Sequence, residues 1–171
     1  MIMKMLVPVN DSASSAAALA HAIELAECTN ATLVLMSVIQ PATTWVAGPF
    51  GAVAELLEAD SRVEHEAHQR LLRLAAEAVP DGIAFRIVLA EGDPAKQIIR
   101  QLEHGDYDLV VLGSRGLGSV KSVLMGGVSR QVLERVETPT LVIRADAKDR
   151  PITEHGEELA STATARQHAH T

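Results

Sequence analysis

One cysteine, Cys28, stands in 171 residues. That excludes an intramolecular disulfide framework and any multi-cysteine metal or iron–sulfur site, and it fits a reducing compartment. Aromatics are nearly as scarce: Trp45, Phe50, Phe85 and Tyr107 make up the whole set, too few for base-stacking platforms. Basic charge is short as well, with 15 Lys and Arg against 22 Asp and Glu and a formal net charge of −7. Nonspecific nucleic-acid binding needs the opposite balance. No run approaches the roughly 18–20 apolar residues of a membrane span. The apolar N-terminus, Met1 to Val9, is short, is interrupted by Pro8, Asn10 and Asp11, and does not read as a signal peptide. Neither membrane nor nucleic acid is an expected partner, and the expected address is the cytoplasm.

The chain does have apolar residues in quantity, at 47%, and a length that suits one domain with a self-sufficient core. Five short runs stand out: Met3–Val9, Thr32–Ile39, Ala84–Leu89, Asp108–Gly113 and Thr140–Arg144. Most are rich in Val, Ile and Leu without clean two-residue alternation, as strands read when both sheet faces are covered. Helical segments separate them. Ser14 to Cys28 carries Ala17, Ala18, Ala22, Leu25 and Ala26 on one stripe after a serine cluster fit for capping. Val53 to Val79 repeats Leu56, Leu57, Val63, Ala67, Leu71, Leu74 and Ala78 in the helical period and stops at Pro80-Asp81-Gly82. Asp93-Pro94 opens a third helix as cap and first turn, with Gly105 as its stop. A fourth runs from Gly127 to Val136, ahead of Pro139.

Strand and helix in alternation predict a single α/β domain: a five-stranded parallel sheet with helices on both faces. Ligands of such sheets bind at the carboxyl ends of the strands, so the loops after Val9, Ile39 and Gly113 matter most. Gln40 to Ala52, with Pro41, Gly48, Pro49 and Gly51, reads as a looser crossover. Residues 1–146 form the expected domain, and 147–171, poor in large apolar residues, the expected disordered tail.

The most informative segment runs from Leu109 to Arg130. It begins as a buried strand, ends as a helix, and holds Gly113, Gly116, Gly118, Gly126 and Gly127 at or between the joins. Glycines let backbone approach a ligand closely, and a helix beginning near Gly127 offers free N–H groups to an anion. Arg115, Lys121 and Arg130 have no acid among them, a local reversal of sign in an acidic chain. Phosphate is the obvious anion. The same glycines would also serve tight turns and a close helix–sheet contact. A P-loop is absent, no glycine follows the first strand, and Gly113-Ser-Arg-Gly116-Leu-Gly118 lacks the dinucleotide spacing.

Other residues carry blander readings. His65-Glu66-Ala67-His68 places its histidines three apart rather than the four of a zinc-protease helix, and reads as a solvated face. Cys28 reads as a small packing residue, His21 as surface or partly buried, and Asp93 as a cap. No pair of carboxylates, and no nucleophile with a base, makes a recognisable catalytic arrangement.

At the glycine segment the chain resembles the universal stress protein family, whose signature is Gly, two residues, Gly, nine residues, Gly, then Ser or Thr. Gly113, Gly116 and Gly126 keep both spacings. Val7-Pro-Val9, Gly92-Asp-Pro94, Asp108–Gly113, Val128-Ser129 and Pro139–Ile143 extend the likeness, in order, over residues 3–145. The resemblance implies a Rossmann-like fold of the adenine nucleotide alpha hydrolase type, usually dimeric, with one branch binding ATP or other adenine nucleotides and another not. By position, it places Pro8, Val9 and Asn10 at adenine and ribose, and Val38 at the adenine edge. Leu112, Gly113, Arg115 and Gly116 would line the ribose and α-phosphate. Gly126, Gly127, Val128 and Ser129 would cradle the outer phosphates. Two departures matter. Asn10 replaces the usual Asp, and Gly127 replaces the signature hydroxyl, although Ser129 is near enough to supply one. The expected function is therefore a stress-response module that binds ATP, ADP or AMP, with Mg²⁺ held by the phosphates, and signals to an unidentified protein partner through order of the Ser114–Met125 loop or through its dimer state. The alternatives are a dimeric interaction protein without nucleotide, and a slow ATPase. The dimer is expected through the last strand, Thr140–Arg144.

Overall fold

The computed structural model describes residues 2–40, 53–114, 125–145 and 150–154. In chain order these form β1 (Lys4–Pro8), α1 (Ala13–Thr29), β2 (Thr32–Ile39), α2 (Val53–Glu77), β3 (Phe85–Glu91), α3 (Pro94–His104), β4 (Leu109–Gly113), α4 (Gly127–Arg135) and β5 (Thr140–Ile143). The strands make one five-stranded sheet in the order β3-β2-β1-β4-β5. Every pairing is parallel, as expected, with Met5 opposite both Leu33 and Leu109 at the centre.

Successive residues of the central strands feed two different cores. Met5, Val7, Leu33, Leu35, Leu109 and Val111 face α1 and α2, where they meet Ala18, Ala22, Leu71, Leu72 and Ala75. Leu6, Val34, Met36, Val110 and Leu112 face α3 and α4, where they meet Ile98, Ile99, Leu102 and Val132. Both faces are covered, so neither set can be polar, and the strand sequences show continuous apolar runs. The alanines of α1 leave no bulk between that helix and the sheet: Ala18 and Ala22 are fully buried.

Local chemistry sets the helix ends. Ser12 caps α1 by accepting from Ser15 N, and Asn30 ends it in the left-handed region at φ 55°. Asp93 caps α3 by accepting from Lys96 N, with Pro94 in the first turn. Gly105 ends α3 with extended rather than left-handed backbone. Its glycine is required because the Tyr107 ring folds over the position, where a Cβ would overlap it and lie 3.0 Å from Gln101 O.

Two features depart from the sequence expectations. Cys28 is exposed on α1 rather than packed, since the buried stripe ends at Ala26. Within the expected tail, residues 152–154 form a helical turn. Ile152 is 5% exposed and joins the core on the α1 side, while Thr153 Oγ1 donates to the Asp11 carboxylate at 2.7 Å. The 41–52 crossover and residues 155–171 lie outside the described residues.

Candidate functional site

The strand order reverses between β1 and β4, since the chain lays β2 and β3 on one side of β1 and β4 and β5 on the other. Their carboxyl ends part there, the position at which open parallel sheets bind ligands. A cavity of about 450 Å³ occupies it. Pro8 at the end of β1 with Val9 and Asn10 after it, Met36 and Val38 of β2 with Gln40 just after it, and Leu112 and Gly113 of β4 form its floor. Its walls come from opposite faces of the sheet: Pro94, Ile98, Val128 and Ser129 from α3 and α4, and Glu64, Ala67 and His68 from α2.

The α4 wall is built for an anion. Gly126 is the N-cap and makes no side-chain cap bond. Its own N–H donates to Ser114 O at 2.6 Å. The amides of Gly127, Val128 and Ser129 follow in the first turn, where a helix has no internal acceptors. None of them has a protein partner among the described residues. Among the described residues, a Cβ placed at Gly127 would meet no atom within 4 Å. The helix dipole adds partial positive charge at the same point.

Gly113 is fixed by contact. A Cβ there would lie 2.7 Å from the carbonyl carbon and oxygen of Ser14, so the end of β4 runs against the first turn of α1. The Gly113 carbonyl accepts from Ser129 Oγ at 2.7 Å, clasping β4 to α4. The expected phosphate-facing hydroxyl is thus buried and its proton committed inside the protein; Ser129 has only its amide to offer as a donor. Asn10 is held from three sides. Its N–H donates to Ser15 Oγ at 3.0 Å, its carbonyl accepts from Ser12 N, and its Oδ1 accepts from Ser12 Oγ at 2.6 Å. The side-chain amide NH₂ of Asn10 is left as the donor at the cavity.

The α2 wall was missed by sequence reasoning. His68 is not on a solvated face: it is half-buried, and its Nδ1 lies 2.8 Å from Ser37 Oγ, which in turn donates to Val9 O at 3.1 Å. Burial pushes the His68 pKa below its ordinary 6.5; the nearby Glu64 charge opposes this, and His65 adds to it. The available signal was positional. Glu64 and His68 sit two turns and one turn before Leu71 and Leu72, on the stripe that faces the core. Ser37 and His68 resemble a nucleophile with its base, but Ser37 is 1% exposed and does not line the cavity.

Eight of the expected site residues line this one cavity: Pro8, Val9, Asn10, Val38, Leu112, Gly113, Val128 and Ser129. Gly126 and Gly127 stand beside it at the start of α4. Arg115 and Gly116 lie outside the described residues, as does all of the 115–124 loop.

A doubly wound parallel sheet with an open helix N-terminus at its switch point defines a Rossmann-like α/β domain. The universal stress protein family model matches residues 1–144, and the chain belongs to that family. The universal stress protein YxiE of Bacillus subtilis is 30% identical over 148 residues, covering 84% of this chain and all of YxiE. Among solved structures, protein MJ0577, of Methanocaldococcus jannaschii, superposes with a TM-score of 0.74 at 21% identity, covering 86% of this chain and 99% of that one. A universal stress protein crystallised in complex with cAMP superposes with a TM-score of 0.54 at 19% identity, covering 85% of this chain and 98% of the other. Among the described residues no helix is long and apolar enough to cross a membrane.

Proposed function

We propose that this chain binds an adenine nucleotide, ATP or its ADP or AMP relatives, in the switch-point cavity and acts as a stress-response module. The observation that carries the reading is the first turn of α4: three consecutive amides without a protein acceptor among the described residues, beside a cavity floored by the ends of β1, β2 and β4. Phosphate oxygens are the acceptors such a turn favours. The family relative crystallised with cAMP supports a nucleotide as the guest. Among the described residues no group of three His, Cys, Asp or Glu side chains converges, so Mg²⁺ would be held mainly by the phosphates. Among the described residues no base lines the phosphate end, which supports at most slow hydrolysis. Binding would act on a partner by ordering the Ser114–Met125 loop, or by altering a dimer formed through the edge strand β5. Isothermal titration with ATP, ADP and AMP tests the reading; heats equal to dilution at millimolar nucleotide refute it.

One observation favours a second reading, a dimeric interaction protein without nucleotide. Gly127 brings no hydroxyl to the α4 turn, and Ser129 has committed its own to Gly113. Excess absorbance near 260 nm in the purified protein separates the two, since only a nucleotide binder carries it.

A further inference from the structure

The two ends of the cavity differ in hydrogen-bonding sense. The α4 end presents donors. The α2 end, on the opposite face of the sheet, presents Glu64 and His68, four residues apart on one helix and therefore neighbours on its surface. The sense of His68 follows from its partner. A serine hydroxyl has one proton, and that of Ser37 goes to Val9 O, a carbonyl that can only accept. With that proton on Val9 O, Ser37 Oγ accepts from the ring 2.8 Å away, and we assign the hydrogen to Nδ1. In the neutral ring Nε2 is left with a lone pair, and it has no protein hydrogen bond among the described residues. Burial lowers the His68 pKa, which favours that neutral ring. The α2 wall therefore consists of acceptors: a carboxylate and an imidazole nitrogen. Between the two ends lie Met36 and Val38, an apolar surface against which a flat ring can rest.

We propose that Glu64 and His68 form the specificity wall of the site, selecting a ligand whose ring carries an exocyclic amino group on the side away from its phosphates. The inference rests on the nucleotide reading and deepens it. With phosphates on the α4 amides, the base end of the ligand crosses the sheet edge to α2, where a donor meets Glu64 and His68. The amino group of adenine is such a donor; a ring with hydrogen or a carbonyl in its place is not. Ser37 acts through His68, as the positioning residue that fixes the tautomer.

The test compares ATP with purine riboside 5′-triphosphate, which has hydrogen in place of the amino group, and with 2′-deoxy-ATP. Wild-type protein is expected to bind ATP about tenfold tighter than the purine analogue, the scale of one hydrogen bond lost. His68→Ala should erase that ratio by lowering affinity for ATP about tenfold more than for the analogue. Long-range ¹⁵N NMR of the wild type should show His68 protonated at Nδ1 alone near neutral pH, and Ser37→Ala should allow the other tautomer and reduce the ratio. Equal binding of ATP and the purine analogue by wild type, an equal loss for both in His68→Ala, or an Nε2-protonated His68 overturns the inference and leaves the nucleotide reading standing. A His68 effect that disappears with 2′-deoxy-ATP assigns the wall to a ribose hydroxyl and likewise overturns it. Failure of all three triphosphates to bind overturns both.

Discussion

Replacing Gly113 with alanine tests whether the switch point is as tightly set as its contacts imply. The new Cβ would lie 2.7 Å from the carbonyl carbon and oxygen of Ser14 and 2.9 Å from its Oγ. Reaching an ordinary contact needs a shift of about 0.7 Å, and two of the three atoms are main chain. Neither partner gives way easily. β4 is paired on both sides, to β1 and to β5, and Ser14 lies in the first turn of α1 behind the Ser12 cap. Overpacking of this kind costs about 1–3 kcal/mol. For a chain of this length that lowers Tm by roughly 2–4 °C per kcal/mol. The matched control is Gly127→Ala. Its Cβ meets nothing within 4 Å among the described residues, and it occupies the first residue of α4, where alanine gains up to about 0.5–1 kcal/mol over glycine. Urea unfolding should thus move the two midpoints in opposite directions with unchanged slope. The Gly113→Ala shift should also disturb the Ser129 clasp and weaken nucleotide binding. A Gly113→Ala protein as stable as the wild type would refute the contact argument.

Three further outcomes are expected. The His68 pKa lies below 6.5 in the fold, so the unfolded chain takes up the extra proton. The contribution of neutral His68 to stability is full above about 6.5 and is lost as pH falls through the folded-state pKa, so stability rises with pH across that window and His68→Gln flattens the rise in urea midpoints between about pH 5 and 8. Asp108 accepts from Met3 N at 2.8 Å and Lys4 N at 2.9 Å, and these bonds hold its carboxyl below the ordinary 3.8. Its contribution is present above about 3.8 and lost as pH falls through the folded-state pKa; acid unfolding of Asp108→Ala should lack that component. Ile152→Ala empties a buried position, with a cost of up to about 2–5 kcal/mol capped by the docking energy of so short a segment. Proteolysis near residues 150–154 should accelerate, and cleavage at the wild-type rate would show that the segment does not depend on that side chain.

The fold was legible because two independent signals agree. Continuous apolar runs such as Leu109–Leu112 arise from burial on both faces, and the helix ends carry their own chemistry in Ser12, Asp93 and Pro94. Where only one residue type spoke, reading was weaker. Cys28 suggested packing by its chemistry alone, although α1 turns it outward. Ile152 stood alone in a polar stretch, and the next residue, Thr153, bonds to Asp11, 142 positions away, a distance no local pattern spans.

The site divides along the same line. Residues on strand ends, such as Pro8, Val38 and Gly113, were supplied by position through the family resemblance, and the topology sends such strand ends to the switch point. Residues whose role depends on a partner's proton were not. Ser129 looks like a free hydroxyl in sequence, yet its hydrogen belongs to the Gly113 carbonyl. His68 looks like part of a charged surface, yet its Nδ1 lies 2.8 Å from Ser37, on a strand 31 residues earlier. Both reversals follow from one constraint. A hydroxyl donates once, and in a buried setting the carbonyl beside it claims that proton before any ligand arrives. At the α4 end the donors are backbone amides and the Asn10 amide, at the α2 end stand Glu64 and His68, and Gln40 can donate or accept. A guest bearing acceptors at one end and a donor at the other fits that polarity, and one with the opposite arrangement meets like against like at both walls.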